Sequence, residues 1–65
     1  MTKRRIEILQ LLSEGYVPKE IAAELKISVL VVYDNFKGIK RQLKAKTREQ
    51  AVRRGIEKGL ISADL

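Results

Sequence analysis

An all-α fold, a compact four-helix helix-turn-helix domain over residues 1–65, follows from three features of the sequence. Apolar residues recur at helical spacing in four successive segments. Between the second and third, Lys26-Ile27-Ser28 leaves room only for a tight junction, the layout of two helices joined by a short turn. Capping residues (Thr2, Ser28, Thr47) and the glycines Gly15 and Gly59 stand where helices should begin and end.

Helix 1 is expected over about residues 3–14. Thr2 is placed to cap it, Ile6, Leu9 and Leu12 recur along one face, and Ile8 and Leu11 widen the stripe. Gly15 stands where a left-handed residue closes a helix. Tyr16 and Val17 make a short apolar link, and Pro18 suits the first turn of helix 2, about 18–25. There Ile21, Ala22 and Leu25 face inward, and the small Ala22 and Ala23 permit a close crossing. Helix 3 is expected from Ser28, its cap, to Lys44, about 28–44. Val29, Val32 or Tyr33, Phe36, Ile39 and Leu43 give it one inward stripe, leaving Val31, Asp34, Asn35, Lys37, Gly38 and Arg41 outward. The β-branched Val29, Val31 and Val32 would suit a strand, but the spacing stays helical well beyond Tyr33. Helix 4, about 47–58, opens on Thr47-Arg48-Glu49-Gln50, a capping-box pattern. Ala51, Val52 and Ile56 form its stripe, Gly59 ends it, and Leu60 and Ile61 can fold back over the core. The tail Ser62-Ala63-Asp64-Leu65 is expected to fray.

A chain of 65 residues makes one small domain, whose marginal core would gain from a dimer or from tight helix packing. With no cysteine and no histidine, disulfides and thiolate sites are excluded, and a zinc site would need carboxylates alone. No metal and no cofactor is expected. Nor is an enzyme: there is no nucleophile–base pair, no glycine-rich phosphate loop and no evident general base for neutral pH. The longest apolar run, Val29 to Tyr33, falls far short of the ~20 residues of a membrane span. The basic start, Met1 to Arg5, runs into an amphipathic helix and not into a signal-peptide apolar region. A soluble intracellular protein is therefore expected, and Met1 favours a complete chain over an excerpt from a longer regulator.

The formal charge is +6, from 14 Lys and Arg against 8 acids, and it is unevenly spread. Lys37, Lys40, Arg41, Lys44, Lys46, Arg48, Arg53 and Arg54 are offset in that stretch only by Glu49. Residues 6–36 carry Glu7, Glu14, Glu20, Glu24 and Asp34 against Lys19 and Lys26. A basic half that follows a helix-turn-helix pattern points to double-stranded DNA. A solvated basic face that merely aids solubility is the alternative.

The spaced motifs agree with this. Residues Thr2 to Gly15 carry an opening of the form T-x-R with a following L-x-L-L-x-E-G, Lys19 to Ser28 read K-E-I-A-x-x-L-x-I-S, and Arg48 to Val52 read R-x-x-A-V before Gly59-Leu60-Ile61. From Thr2 to Ile61 the chain resembles the LuxR-type (GerE-like) helix-turn-helix domain, a four-helix bacterial transcription-factor module. The resemblance implies a bacterial, cytoplasmic, nucleoid-associated protein. It also implies a homodimer through helix 4, with Val52 and Ile56 in the seam, and a larger regulator or RNA polymerase as further partner. The departures fall on helix 3. Where the family reads x-x-T-V-K-x-H after I-S, this chain has Val31 at the Thr position, Tyr33 at the Lys position and Asn35 at the His position. The resemblance aims the side chains of Tyr33, Asp34 and Lys37 at the major groove. Gly38 stands at a usually Asn-like position, and Lys44 at that of the glycine after the helix.

Each candidate has a chemical reading and a plainer one. Lys37 and Arg41, four apart, can reach phosphate oxygens or guanine O6/N7, or simply be solvated. Asn35 can bridge adenine N6/N7 or cap locally. Asp34 can accept from cytosine N4, or be an acid favoured by the helix dipole, or pair with Lys37 or Arg41. Val31 can meet a thymine methyl, and the Leu30–Tyr33 edge could equally bind protein. Gly38 costs about 1 kcal/mol relative to alanine, and either permits a phosphate strand or a partner to approach or is a weakness. Lys3, Arg4 and Arg5, with Lys19, lie at helix starts where cations oppose the dipole, which suits flanking phosphate contacts. Lys40, Lys44, Lys46 and Arg48 are phosphate candidates beyond the reading residues.

The expectation is a sequence-specific double-stranded DNA-binding transcriptional regulator, or the effector domain of one. The alternative is a protein-interaction module of the same fold that pairs with or sequesters a larger regulator or a transcription component.

Overall fold

Local signals at both ends of every helix fix the architecture. A computed structural model describes residues 1–63; Asp64 and Leu65, the end of the tail expected to fray, lie outside the described residues. The helices are α1 (Lys3–Ser13), α2 (Pro18–Leu25), α3 (Val29–Leu43) and α4 (Arg48–Glu57). Thr2, Ser28 and Thr47 accept through their hydroxyls from the N–H groups of Arg5, Val31 and Gln50, at 3.2, 3.2 and 3.1 Å. At α2, Pro18 takes the first position and the Glu20 carboxylate accepts from the Val17 N–H at 3.0 Å. The capping box expected at Thr47 is displaced by one residue: Gln50 Oε1 accepts from Lys46 N–H at 2.7 Å, not from Thr47.

All four helices close in the same way. A left-handed residue turns the chain, and the N–H beyond it returns to a carbonyl of the last turn. Tyr16 donates to Leu11 past Gly15, Ile27 to Ala22 past Lys26, Ala45 to Lys40 past Lys44, and Leu60 to Gly55 past Gly59. Two of these residues are glycines (φ 98 and 72) and two are lysines (φ 58 and 55). A residue bearing a Cβ is held there at a cost of about 1 kcal/mol or more. Both lysines bound α3, one before it and one after.

The core is built from Ile8, Leu9 and Leu12 of α1, Ile21 and Ala22 of α2, Val32, Ile39 and Leu43 of α3, and Ala45, Ala51 and Ile61. Packing resolves several ambiguities of spacing. Ile8 is fully buried and Ile6 only partly, so the stripe of α1 is centred one position further than Ile6-Leu9-Leu12 suggests. Val32, not Tyr33, enters the core. Of the two small residues Ala22 is buried in the core and Ala23 is exposed. α1 and α3 each touch the other three helices, while α2 and α4 touch only those two. Gly55 lets α4 come close: a Cβ there would lie 2.7 Å from Leu9 Cδ2. As expected, Ile61 folds back into the core and Leu60 packs against it. The tail is better held than expected at its start, because Ser62 N–H donates to Gln10 Oε1 at 3.1 Å. Among the described residues no helix is long and apolar enough to cross a membrane.

Candidate nucleic-acid interface

With Val32, Ile39 and Leu43 turned inward, helical geometry puts Leu30, Asp34, Lys37 and Arg41 on the opposite ridge of α3, and Lys44 follows as the left-handed residue that closes the helix. All five are exposed. The ridge is narrower than spacing alone suggests. Asn35 and Gly38, expected outward, are half-buried on the flank shared with Val31 and Gln42. Tyr33 and Lys40 lie on the other flank, where Lys40 Nζ stands 4.8 Å above the Phe36 ring. Tyr33 is 54% exposed, Val31 43% and Leu30 75%, so the N-terminal turns of α3 present an apolar edge.

Charge is graded along this ridge. Leu30 and Asp34 come first, then Lys37, Arg41 and Lys44, with no acid between Lys37 and Lys44. Among the described residues the one ion pair is Arg4–Glu7, at 3.5 Å, on the surface of α1. Asp34 thus has no pairing with Lys37 or Arg41, and the three cations are not neutralised by a described carboxylate. Such a row can hold phosphate oxygens, while donors and acceptors nearer the N-terminus can meet base edges. Asn35 uses its amide locally, though not as a cap: Nδ2 donates to the carbonyl of Val31, one turn back inside the helix, at 2.8 Å. To reach adenine it would give up that bond.

The remaining candidates are dispersed. Lys3 is exposed at the start of α1, and Arg4 is tied to Glu7. Lys19 is exposed in the first turn of α2. Lys46 is exposed in the link between α3 and α4. Arg48 is half-buried and lines a groove of about 380 Å³ between α1 and α4, with Leu12, Ser13, Glu49, Val52, Arg53, Ile56 and Glu57. The seam candidates Val52 and Ile56 form its apolar floor together with Leu12, and charges of both signs rim it. Among the described residues no group of Asp and Glu is arranged to hold a metal.

One arrangement escaped sequence reasoning. Arg5 Nη1 donates to Gln42 Oε1 at 3.0 Å, across the α1–α3 junction. Its guanidinium rests on Gly38, and only the i, i+4 pairing of Gly38 with Gln42 on α3 hints at it in the sequence.

Comparison with known proteins accords with this geometry. The family model for bacterial regulatory proteins of the luxR family matches residues 1–54. The oxygen regulatory protein NreC of Staphylococcus carnosus (strain TM300) is 36% identical over 61 residues, 94% of this chain and 28% of NreC. The chain therefore spans a little over a quarter of that curated relative. The solved structure of the transcription factor GerE superposes with a TM-score of 0.94 at 34% identity, covering 98% of this chain and 96% of that one.

Proposed function

The chain belongs to the luxR family of bacterial regulatory proteins, with the four-helix helix-turn-helix fold of its DNA-binding regulators, and from that premise we propose that it is a sequence-specific double-stranded DNA-binding transcriptional regulator or the effector domain of one. Family and fold are those of regulators and not of enzymes. The observation that carries the reading is the graded ridge of α3, exposed over its whole length and backed by a buried stripe. In this reading α3 lies in the major groove with its N-terminal turns deepest; Asp34, Lys37 and Arg41 face bases from the ridge, Val31, Tyr33 and Asn35 reach base edges from the flanks of those first turns, and Lys40, Lys44 and Lys46 hold phosphates where the helix leaves the groove. Lys3, Arg4, Lys19 and Arg48 are outlying cations for the flanking backbone.

A second copy fits the α1–α4 groove. A two-fold contact must be self-complementary. An apolar floor of Leu12, Val52 and Ile56, rimmed by Arg48 and Arg53 as well as Glu49 and Glu57, meets that demand. Dimerisation through α4 would also extend a small core. RNA polymerase or a larger regulator is the further partner of this reading.

The test is duplex binding across salt concentrations. With about five phosphate contacts, the log–log slope of affinity against salt should be roughly −4 to −5 per protomer. A folded protein that binds no duplex even at low salt would sink the proposal. One observation favours a second reading, a protein-interaction module: the apolar edge Leu30, Val31 and Tyr33, exposed on an otherwise charged surface.

A further inference from the structure

Helix α3 lacks a side chain at Gly38, and a side chain from another helix fills the space. A Cβ built on Gly38 would press against Arg5 Nη2 and lie 2.6 Å from Cζ and 3.2 Å from Nε. No other residue fits at 38 while the guanidinium is in place. One turn further, Gln42 Oε1 accepts from Arg5 Nη1 at 3.0 Å. Gly38 and Gln42 are four apart, so the seat and the anchor share one flank of α3. The other residues of that flank, Val31 and Asn35, carry no charge. Arg5 is half-buried, and no described carboxylate lies within ion-pair distance of it.

We propose that Arg5, carried by α1, belongs to the nucleic-acid surface of α3, and that it supplies on the Gly38 flank a phosphate-binding cation that this flank lacks. The proposal rests on the DNA-binding reading above. Its logic is one of placement. Base edges lie ahead of a helix seated in the major groove, and phosphates line the walls beside it. A cation on the flank at Gly38 and Gln42, past the N-terminal turns that carry Val31 and Asn35, therefore meets phosphate. A guanidinium has five N–H donors, and Gln42 takes one, which leaves most of the fork free for two phosphate oxygens. The contact with Gly38 and the bond to Gln42 hold the plane before DNA arrives, so little freedom remains to be lost on binding. Gly38, a weak residue inside a helix, thereby has a purpose.

A double-mutant cycle on a mixed-sequence duplex of about two helical turns tests this, since phosphate contacts need no particular sequence. The proteins are the wild type, Arg5→Ala, Gly38→Ala and the pair, each measured over a range of salt and each checked for helicity. Arg5→Ala should flatten the log–log salt slope by about 0.9 and weaken binding several-fold. Gly38→Ala should displace the guanidinium and reproduce part of that loss, with little added effect once Arg5 is alanine. It should do so without destabilising the fold, because alanine is the better helix former. In the Arg5→Ala background the folding equilibrium should gain roughly two- to five-fold. An Arg5→Ala protein with wild-type slope and affinity overturns the assignment while the DNA-binding reading stands. Losses that add in full overturn the part of the assignment that makes Gly38 the seat of the guanidinium, and leave Arg5 and Gly38 acting independently. A folded wild type that binds no duplex at low salt overturns premise and assignment together.

Discussion

The two halves of α3 share one backbone, one core stripe and almost nothing else. Val29 to Phe36 holds no cation, one acid and three exposed apolar side chains; from Lys37 to the closing residue Lys44, just past the helix, there are four cations, Lys37, Lys40, Arg41 and Lys44, and no acid. Inward, Val32 serves the first half as Ile39 and Leu43 serve the second. The difference teaches that the fold constrains only about half of the surface of this helix. The outward half is free for recognition, and it is divided between an end suited to selectivity and an end suited to affinity.

The largest expected effect breaks both halves at once. Ile39→Ala removes buried volume from the shared stripe and should cost about 2–5 kcal/mol, read as a shift of the urea midpoint followed by helicity. A cost below about 1 kcal/mol would mean that this stripe does not hold the helix. The next effect isolates the basic end. Lys44→Ala with Lys46→Ala should lower the salt slope by roughly two units and weaken preferred and mixed-sequence duplexes alike. A fall in selectivity would show that this end reads bases, and the contrast between the halves would disappear.

The apolar end calls for a subtler probe. Replacing thymine by uracil in a preferred duplex deletes a methyl group and leaves charge and hydrogen bonding unchanged. If Leu30 and Val31 meet that methyl, each deletion should cost about 0.8 kcal/mol. The cost should vanish in the Leu30→Ala, Val31→Ala protein. Equal binding to both duplexes would leave this edge to a protein partner. Smallest of all is Asp34→Ala. Removing an unpaired carboxylate beside phosphates should raise affinity for every duplex modestly, and the gain should fade as salt rises. A loss of selectivity instead would make Asp34 a reader of cytosine.

Much of the fold was legible because its signals are short-ranged. Thr2, Ser28 and Thr47 announce their helices within three residues, and Gly15 and Gly59 mark turns that glycine adopts freely. Lys26 and Lys44 occupy the same left-handed conformation without announcing it, because lysine seldom does so. Spacing could not choose between Val32 and Tyr33, three and four residues on from Val29; packing decides it, with Val32 fully buried in the core and Tyr33 exposed. The outward face was read too wide: Arg5 of α1 covers Gly38, and spacing within α3 carries no news of α1. The Arg5–Gln42 bond spans 37 positions and leaves no local trace. The reading residues could be proposed from where they stand on the helix.

The shared manner of closing helices has a kinetic consequence. Each helix is started and stopped by bonds that reach no further than five residues along the chain. Such closures ask little loop-forming entropy of the unfolded chain, so each helix can define its own ends before docking. Chains dominated by local contacts cross their barrier in microseconds to milliseconds. A domain assembled this way leaves little time for partly folded, sticky intermediates, and it can recover the exposed face of α3 quickly each time it opens.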